Sequence, residues 1–195
     1  GKLDHVARLR RNGADLSIVL DSVEAARMVE SGGRALDVRF PVLIEIDCDG
    51  HRSGVKPGDP VLLEIASSLR GAGAELRGVM THAGDSYNCT SIMAIRAMAE
   101  REREAVVSSA AMLREAGYPI STVSVGSTPT VTYAGRLDGV TEVRAGVFVF
   151  FDLVMAGLEV CAIDDIALSV LATVIGHQRE KGWLITDAGW MAMSR

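Results

Sequence analysis

Five short apolar runs rich in β-branched residues recur along the chain: Leu16 to Leu20, Val42 to Ile46, Leu76 to Met80, Thr122 to Val125 and Val143 to Phe150. Helical patterns fill the intervals, and this alternation predicts parallel strands joined by crossover helices, an α/β fold. Asp21-Ser22-Val23-Glu24 places capping residues ahead of Ala25 to Val29, Pro60 to Leu69 repeats apolar positions before Gly71, and Leu3 to Arg11 is helical in pattern. The longest predicted helix, Thr90 to Ala116, sets Ile92, Ile95, Ala99, Val106 and Leu113 against Arg96, Glu100, Arg101, Glu102, Arg103 and Glu104. That charged run reads as a solvated face.

At 195 residues, 48% hydrophobic and 23% charged, the chain can bury a full core. Its formal net charge of −5 lacks the basic face that nucleic-acid binding needs, so a small-molecule partner is expected. No stretch approaches the ~18 uninterrupted apolar residues of a membrane span, and the opening Gly-Lys-Leu-Asp-His lacks a signal peptide's apolar core. The expected compartment is the cytoplasm. Cys48, Cys89 and Cys161 follow no metal-ligand spacing and read as reduced structural thiols.

After Phe151 the character changes. Ile166 to Ile175 and Trp183 to Ile185 are β-rich around breaks at Gly176-His177 and Lys181-Gly182, which predicts a second, all-β piece. Five βα units are too few for a closed barrel of eight, so the chain reads as the middle of a longer protein.

In parallel α/β folds, ligands sit at the carboxyl ends of the strands. The residues there are Asp47 to Gly54, Thr81 to Tyr87, Gly126-Ser127-Thr128, and Arg144 with Gly146, a polar and glycine-rich set. Small residues with free backbone N–H groups around Gly126 and Gly146 could cradle a phosphate, or Gly126-Ser127-Thr128-Pro129 could be a simple turn. Asp47-Cys48-Asp49-Gly50 fails as a calcium loop, because His51, Arg52 and Gly58 fall where ligands and glycine are required. His82 could lie flat against a ring or be a histidine satisfied under a loop. Arg52 and Arg144 could reach a cofactor's oxygen or ring nitrogen, or could be rim arginines. Tyr87 can donate through its hydroxyl while its ring packs. No Gly-x-Ser-x-Gly elbow supports a hydrolase nucleophile.

Asp47 to Val55, Thr81-His82-Ala83-Gly84, Val123 to Thr130, Thr141 to Val147 and Asp187-Ala188-Gly189-Trp190 together resemble the D-serine dehydratase and D-threonine aldolase family. The resemblance covers nearly the whole chain. It implies an alanine-racemase-like (β/α)8 barrel, here about strands four to eight over residues 1–155, followed by the start of a C-terminal β domain over 156–195. It also implies pyridoxal 5'-phosphate (PLP) as cofactor and a homodimer. Gly126, Ser127 and Thr128, with Gly146 and Val147, would hold the cofactor phosphate, His82 would pack on the pyridine face, Arg52 would approach the phenolic oxygen, and Tyr87 or Arg144 would meet the ring nitrogen.

Two departures qualify the resemblance. The family's Schiff-base lysine lies in an Arg-Pro-His-x-Lys-Thr type segment, and Lys2, Lys56 and Lys181 have no such context. The family's divalent metal, zinc or manganese, is held by a His-x-Cys or His-x-Asp pair that does not follow Asp187 here. The expectation is therefore part of a PLP-dependent lyase, inactive on its own, whose complete form removes water and ammonia from a D-3-hydroxy amino acid such as D-serine or D-threo-3-hydroxyaspartate. The alternatives are retro-aldol cleavage, as in D-threonine aldolase, and a noncatalytic PLP-binding module.

Overall fold

The computed structural model describes residues 1–189 and Ala192. Trp190, the end of the Asp187 to Trp190 motif, lies outside the described residues. The chain folds as two compact units, Gly1–Gly146 and Val147–Arg195. The first runs α1 (Lys2–Arg11), β1 (Ile18–Leu20), α2 (Val23–Leu36), β2 (Phe40–Ile46), α3 (Val61–Ser68), β3 (Ala74–Thr81), a 3-10 turn (Gly84–Asn88), α4 (Ile92–Glu115), β4 (Thr122–Val125), α5 (Thr128–Tyr133) and β5 (Glu142–Val143).

The helices begin where side chains can satisfy their first N–H groups. Ser22 accepts from Ala25 N at 3.3 Å and Ser91 from Ala94 N at 3.2 Å, so α2 and α4 both start on a serine cap. Asp37 closes α2 in the left-handed region at φ 51°.

All five strands are parallel and lie in sequential order, β1-β2-β3-β4-β5. With right-handed crossovers throughout, this order sends every connecting helix to the same side of the sheet. The register agrees. Ile44, Val79 and Val123 stand side by side, and with Val42, Ile46 and Val125 they join a core containing Ala26 and Val29 of α2, Leu62 and Ile65 of α3, and Val106 and Leu113 of α4. Each such fully buried Val, Leu or Ile contributes roughly 1.5–3 kcal/mol. The opposite pleat carries the paired series Glu45, Met80, Ser124 and Glu142, a mostly polar face.

Four of the expected strands are present, but Val143 to Phe150 is not a strand. Pairing with β4 ends at Val143, Val147–Val149 forms a 3-10 turn, and Phe151 sits at φ 53°. Phe148, Val149 and Phe150 are exposed, so the run is apolar without being sheet. Conversely, α5 forms where a phosphate cradle or a simple turn was expected, because Ser127 caps it and Pro129 fits the first turn.

The second unit, Val147–Arg195, carries both helix and strand. It contains the helix α6 (Leu153–Gly157), capped by Asp152 Oδ1 accepting from Met155 N at 2.9 Å, and a hairpin of β6 (Val174–Gln178) and β7 (Trp183–Thr186). The β-rich run from Ile166 becomes a paired strand only from Val174, where β7 offers a partner.

Candidate functional site

The carboxyl ends of β2, β3, β4 and β5 lie at the same end of the parallel sheet, and the segments that leave them are tied together by polar groups. In the loop after β2, Asp47 Oδ1 accepts from Gly50 N at 2.7 Å, and Asp49 Oδ2 accepts from Asp85 N at 2.9 Å in the turn after β3. Asp21 Oδ2, after β1, accepts from Gly54 N at 3.1 Å. Arg52 is exposed and lies along Gly84, where a Cβ would fall 3.3 Å from Arg52 Cδ and 2.7 Å from His51 Cδ2. A side chain at Gly84 would oblige the exposed His51 ring to shift.

His82 leaves β3 half-buried, its ring stacked on that of Tyr87 at a centroid distance of 6.1 Å and an interplanar angle of 26°. Burial pushes its pKa below the usual histidine value, and the cationic Arg52 and Arg144 push the same way, opposed in part by the Gly126 backbone and Asp49. These causes place Arg52, Arg144 and Gly126 around one neutral imidazole.

Arg144 is committed to the sheet edge. Its Nε donates to Ser124 Oγ at 2.8 Å, its guanidinium donates to the carbonyl of Thr81, and Glu142 lies 4.0 Å away. The other half of that polar face is Ser124 Oγ donating to Glu142 Oε1 at 2.5 Å.

The centre of the site is a residue expected on a solvated face. Glu102 of α4 is only 2% exposed. Its Oε1 accepts from Ala83 N at 2.9 Å and Gly126 N at 3.2 Å, and its Oε2 accepts from Thr130 Oγ1 at 2.7 Å. One carboxylate thus joins the segment after β3, the segment after β4 and α5. Burial raises its pKa, against these three hydrogen bonds and the charge of Arg144. Arg103, its neighbour in the same charged run, is also buried, donating to Asp138 O at 3.1 Å and forming an ion pair with Glu100.

At the start of α5, Ser127 Oγ accepts from Thr130 N at 3.3 Å, and its hydroxyl lies 2.8 Å from Thr130 Oγ1 and 3.0 Å from Ser86 Oγ. The hydroxyl of Thr128 is buried without a hydrogen-bond partner. Orphaned buried hydroxyls cost about 1–3 kcal/mol, so this donor fits an acceptor supplied by a ligand. Gly126 serves the site differently from the expected cradle. Its N–H is donated to Glu102, and its missing side chain admits Arg144 O, which a Cβ would approach to 2.2 Å. Gly146 is exposed with open space around it, and Val147 begins the second unit.

Among the described residues, no group of three or more His, Cys, Asp or Glu could hold a metal ion, and no helix is long and apolar enough to cross a membrane.

Residues 2–154 match the model of the alanine racemase N-terminal domain. The chain belongs to that family. It is 58% identical to the D-threo-3-hydroxyaspartate dehydratase of Delftia sp. (strain HT23) over 195 residues, 100% of this chain and 51% of that protein. The solved structure of that dehydratase superposes with a TM-score of 0.95, covering 100% of this chain and 52% of its own. The D-serine dehydratase of Dictyostelium discoideum is 29% identical over 92% of this chain and 48% of its own length. D-Threonine aldolase from Filomicrobium marinum superposes with a TM-score of 0.73 at 25% identity, covering 80% of this chain and 42% of its own. The expected family resemblance is borne out, and the alanine-racemase-like α/β fold with a parallel sheet with it. The chain spans about half the length of these two dehydratases.

Proposed function

We propose that this chain supplies the phosphate- and ring-holding part of a PLP-dependent dehydratase acting on a D-3-hydroxy amino acid. The observation that carries this reading is the orphaned Thr128 hydroxyl, buried at the capped start of a helix two residues from Gly126, whose backbone meets His82. The 58% identity to a D-threo-3-hydroxyaspartate dehydratase makes that compound the first substrate to test.

In this reading Thr128 donates to the cofactor phosphate, and the half-buried face of His82 packs against the pyridine. Arg52 supplies positive charge to the phenolic oxygen. Arg144 or Tyr87 faces the ring nitrogen, and the bonds Arg144 makes to Ser124 and the Thr81 carbonyl orient it for that purpose. PLP, when bound, supplies an electron-withdrawing ring that stabilises negative charge at the substrate Cα. The covalent role falls to a lysine outside these residues, since Lys2 opens α1, Lys56 is an exposed loop residue and Lys181 lies in the turn of the second unit.

The sequential parallel order of β1 to β5 supports reading them as part of an eight-stranded barrel, with residues 156–195 starting a C-terminal β domain. One solved D-threo-3-hydroxyaspartate dehydratase mutant is in a metal-free form, which supports a divalent metal in the complete protein, with its ligands outside the described residues. A cytoplasmic homodimer completes the proposal.

The test uses the full-length protein loaded with PLP. Dehydration of D-threo-3-hydroxyaspartate yields oxaloacetate and ammonia, and D-serine yields pyruvate and ammonia. Glycine and glyoxylate from the same hydroxyaspartate would make it an aldolase instead, and PLP binding without any turnover would make it a noncatalytic module.

A further inference from the structure

Glu102 lies in a buried hydrogen-bond chain that the functional reading does not use. Its two oxygens accept from Ala83 N, Gly126 N and Thr130 Oγ1. Beyond Thr130 the chain continues to Ser127 Oγ at 2.8 Å and Ser86 Oγ at 3.0 Å, all of these hydroxyls being buried. A carboxylate has no proton to give, so Thr130 must donate to it. Thr130 Oγ1 can then only accept from Ser127, and Ser127, its proton used, can only accept from Ser86 and from Thr130 N. Every donation in the chain therefore points toward Glu102. Ser127 has no hydroxyl proton left for a ligand, and Thr128 is the residue beside it whose buried hydroxyl is unclaimed.

We propose that Glu102 is a positioning residue: it locks the segment carrying His82 to the segment carrying Ser127 and Thr128, and it polarises the Ser86–Ser127–Thr130 hydroxyls so that the anion is met by Thr128 and not by Ser127. This rests on the reading that a phosphate is held there. The carboxylate fixes the separation between ring and phosphate supports, because Ala83 adjoins His82 and Gly126 adjoins Ser127. An apolar residue would fill the space without doing either. Glutamine keeps the shape, and its oxygen can still accept from Ala83 and Gly126, but its NH2 donates toward Thr130 and reverses the hydroxyl chain.

The experiment uses the full-length protein stripped of cofactor, with Glu102→Gln, Thr130→Val, the double variant, and Ser109→Ala as control. Ser109 is a buried hydroxyl on the same helix that bonds only to Ala105 O, at 2.7 Å, among the described contacts. Affinity for PLP is read by fluorescence titration, and the environment of the bound phosphate by its phosphorus NMR resonance. Each single variant should weaken binding about tenfold, the scale of one hydrogen bond to a charged group. Each should also move the phosphorus resonance, while Ser109→Ala moves neither. The double variant should be no worse than either single one, because both break the same chain. Unchanged affinity and resonance in Glu102→Gln, or losses that add in the double variant, would overturn the proposal. If Glu102→Gln does not fold, Thr130→Val decides alone, since it leaves the carboxylate and both backbone bonds in place, and wild-type binding and resonance there would be equally fatal. Inorganic phosphate is titrated in parallel. Wild-type protein that binds phosphate but not PLP sinks the cofactor reading and leaves the positioning role to be read on phosphate, and binding of neither sinks both.

Discussion

Thr130 donates to Glu102 at 2.7 Å across 28 residues of sequence, in an interior where Glu102 is 2% exposed. Burial raises the Glu102 pKa above its ordinary 4.5, so the folded protein binds this proton more tightly than the unfolded chain does. Its contribution to stability is whole below the unfolded value and is lost as pH rises through the folded one. Melting temperatures of wild type and Glu102→Gln across pH 4 to 8 should therefore show the variant gaining on wild type as pH rises. A difference that does not depend on pH would contradict the burial argument.

His82 has the opposite sign. Its folded pKa is depressed below 6.5, so its neutral form is favoured by folding. Stability from this group is present above 6.5 and is lost as pH falls through the folded value. NMR titration should find His82 taking up its proton at lower pH than an ordinary histidine, and His82→Phe should flatten the acid side of the stability curve. A titration at or above 6.5 would show that the ring is open to water.

Gly126→Ala should cost about 2 kcal/mol or more, as overpacking does, because the new methyl would sit 2.2 Å from Arg144 O. The damage should reach further than the glycine. Arg144 would be pushed away from Ser124, so denaturant unfolding should report the lost stability while PLP titration reports a disturbed ring site.

Cys48 is buried, and its thiol is pushed up to about 12, chiefly by burial. Little thiolate exists at neutral pH, and access is closed as well. A short pulse of iodoacetamide on the native protein followed by mass spectrometry should leave Cys48 unmodified, and the same pulse in denaturant should label it. Fast native labelling would mean that the loop after β2 opens.

The strands of the first unit were legible because β-branched runs bounded by turn residues state their own conformation. Val143 to Phe150 misleads for the same reason: composition records preference, whereas a strand also needs a partner, and β5 pairs with β4 only through Val143. Most of the polar set at the strand ends was legible by position, since Arg52, His82, Ser127 and Thr128 each follow an apolar run, whereas Arg144 lies inside one. Glu102 was not legible. It sits among five other charged residues between positions 96 and 104, and nothing in that spacing says which of them turns inward. The available clue lay elsewhere, in small hydroxyl residues after β4 that need a distant acceptor. Similarly, α5 was hidden because threonines and a proline favour extended chain until a serine cap overrides them.

The pairing of β2 with β3 slips at one point, where Val42 faces Leu76 and the next residue, Leu43, faces Gly78. Arg77 is therefore a supernumerary residue, held aside by its ion pair to Asp15 at 2.9 Å. Upstream and downstream of it, the strand keeps the same side toward the helices. This gives β3 a unit of slack in chain length at one defined place. A deletion of Arg77 would straighten the strand and leave Val79 and Thr81 facing the helices, with His82 still entering its loop from the same side. A change of one residue in the length of this strand, made at Arg77, is thus a change the imidazole need never register.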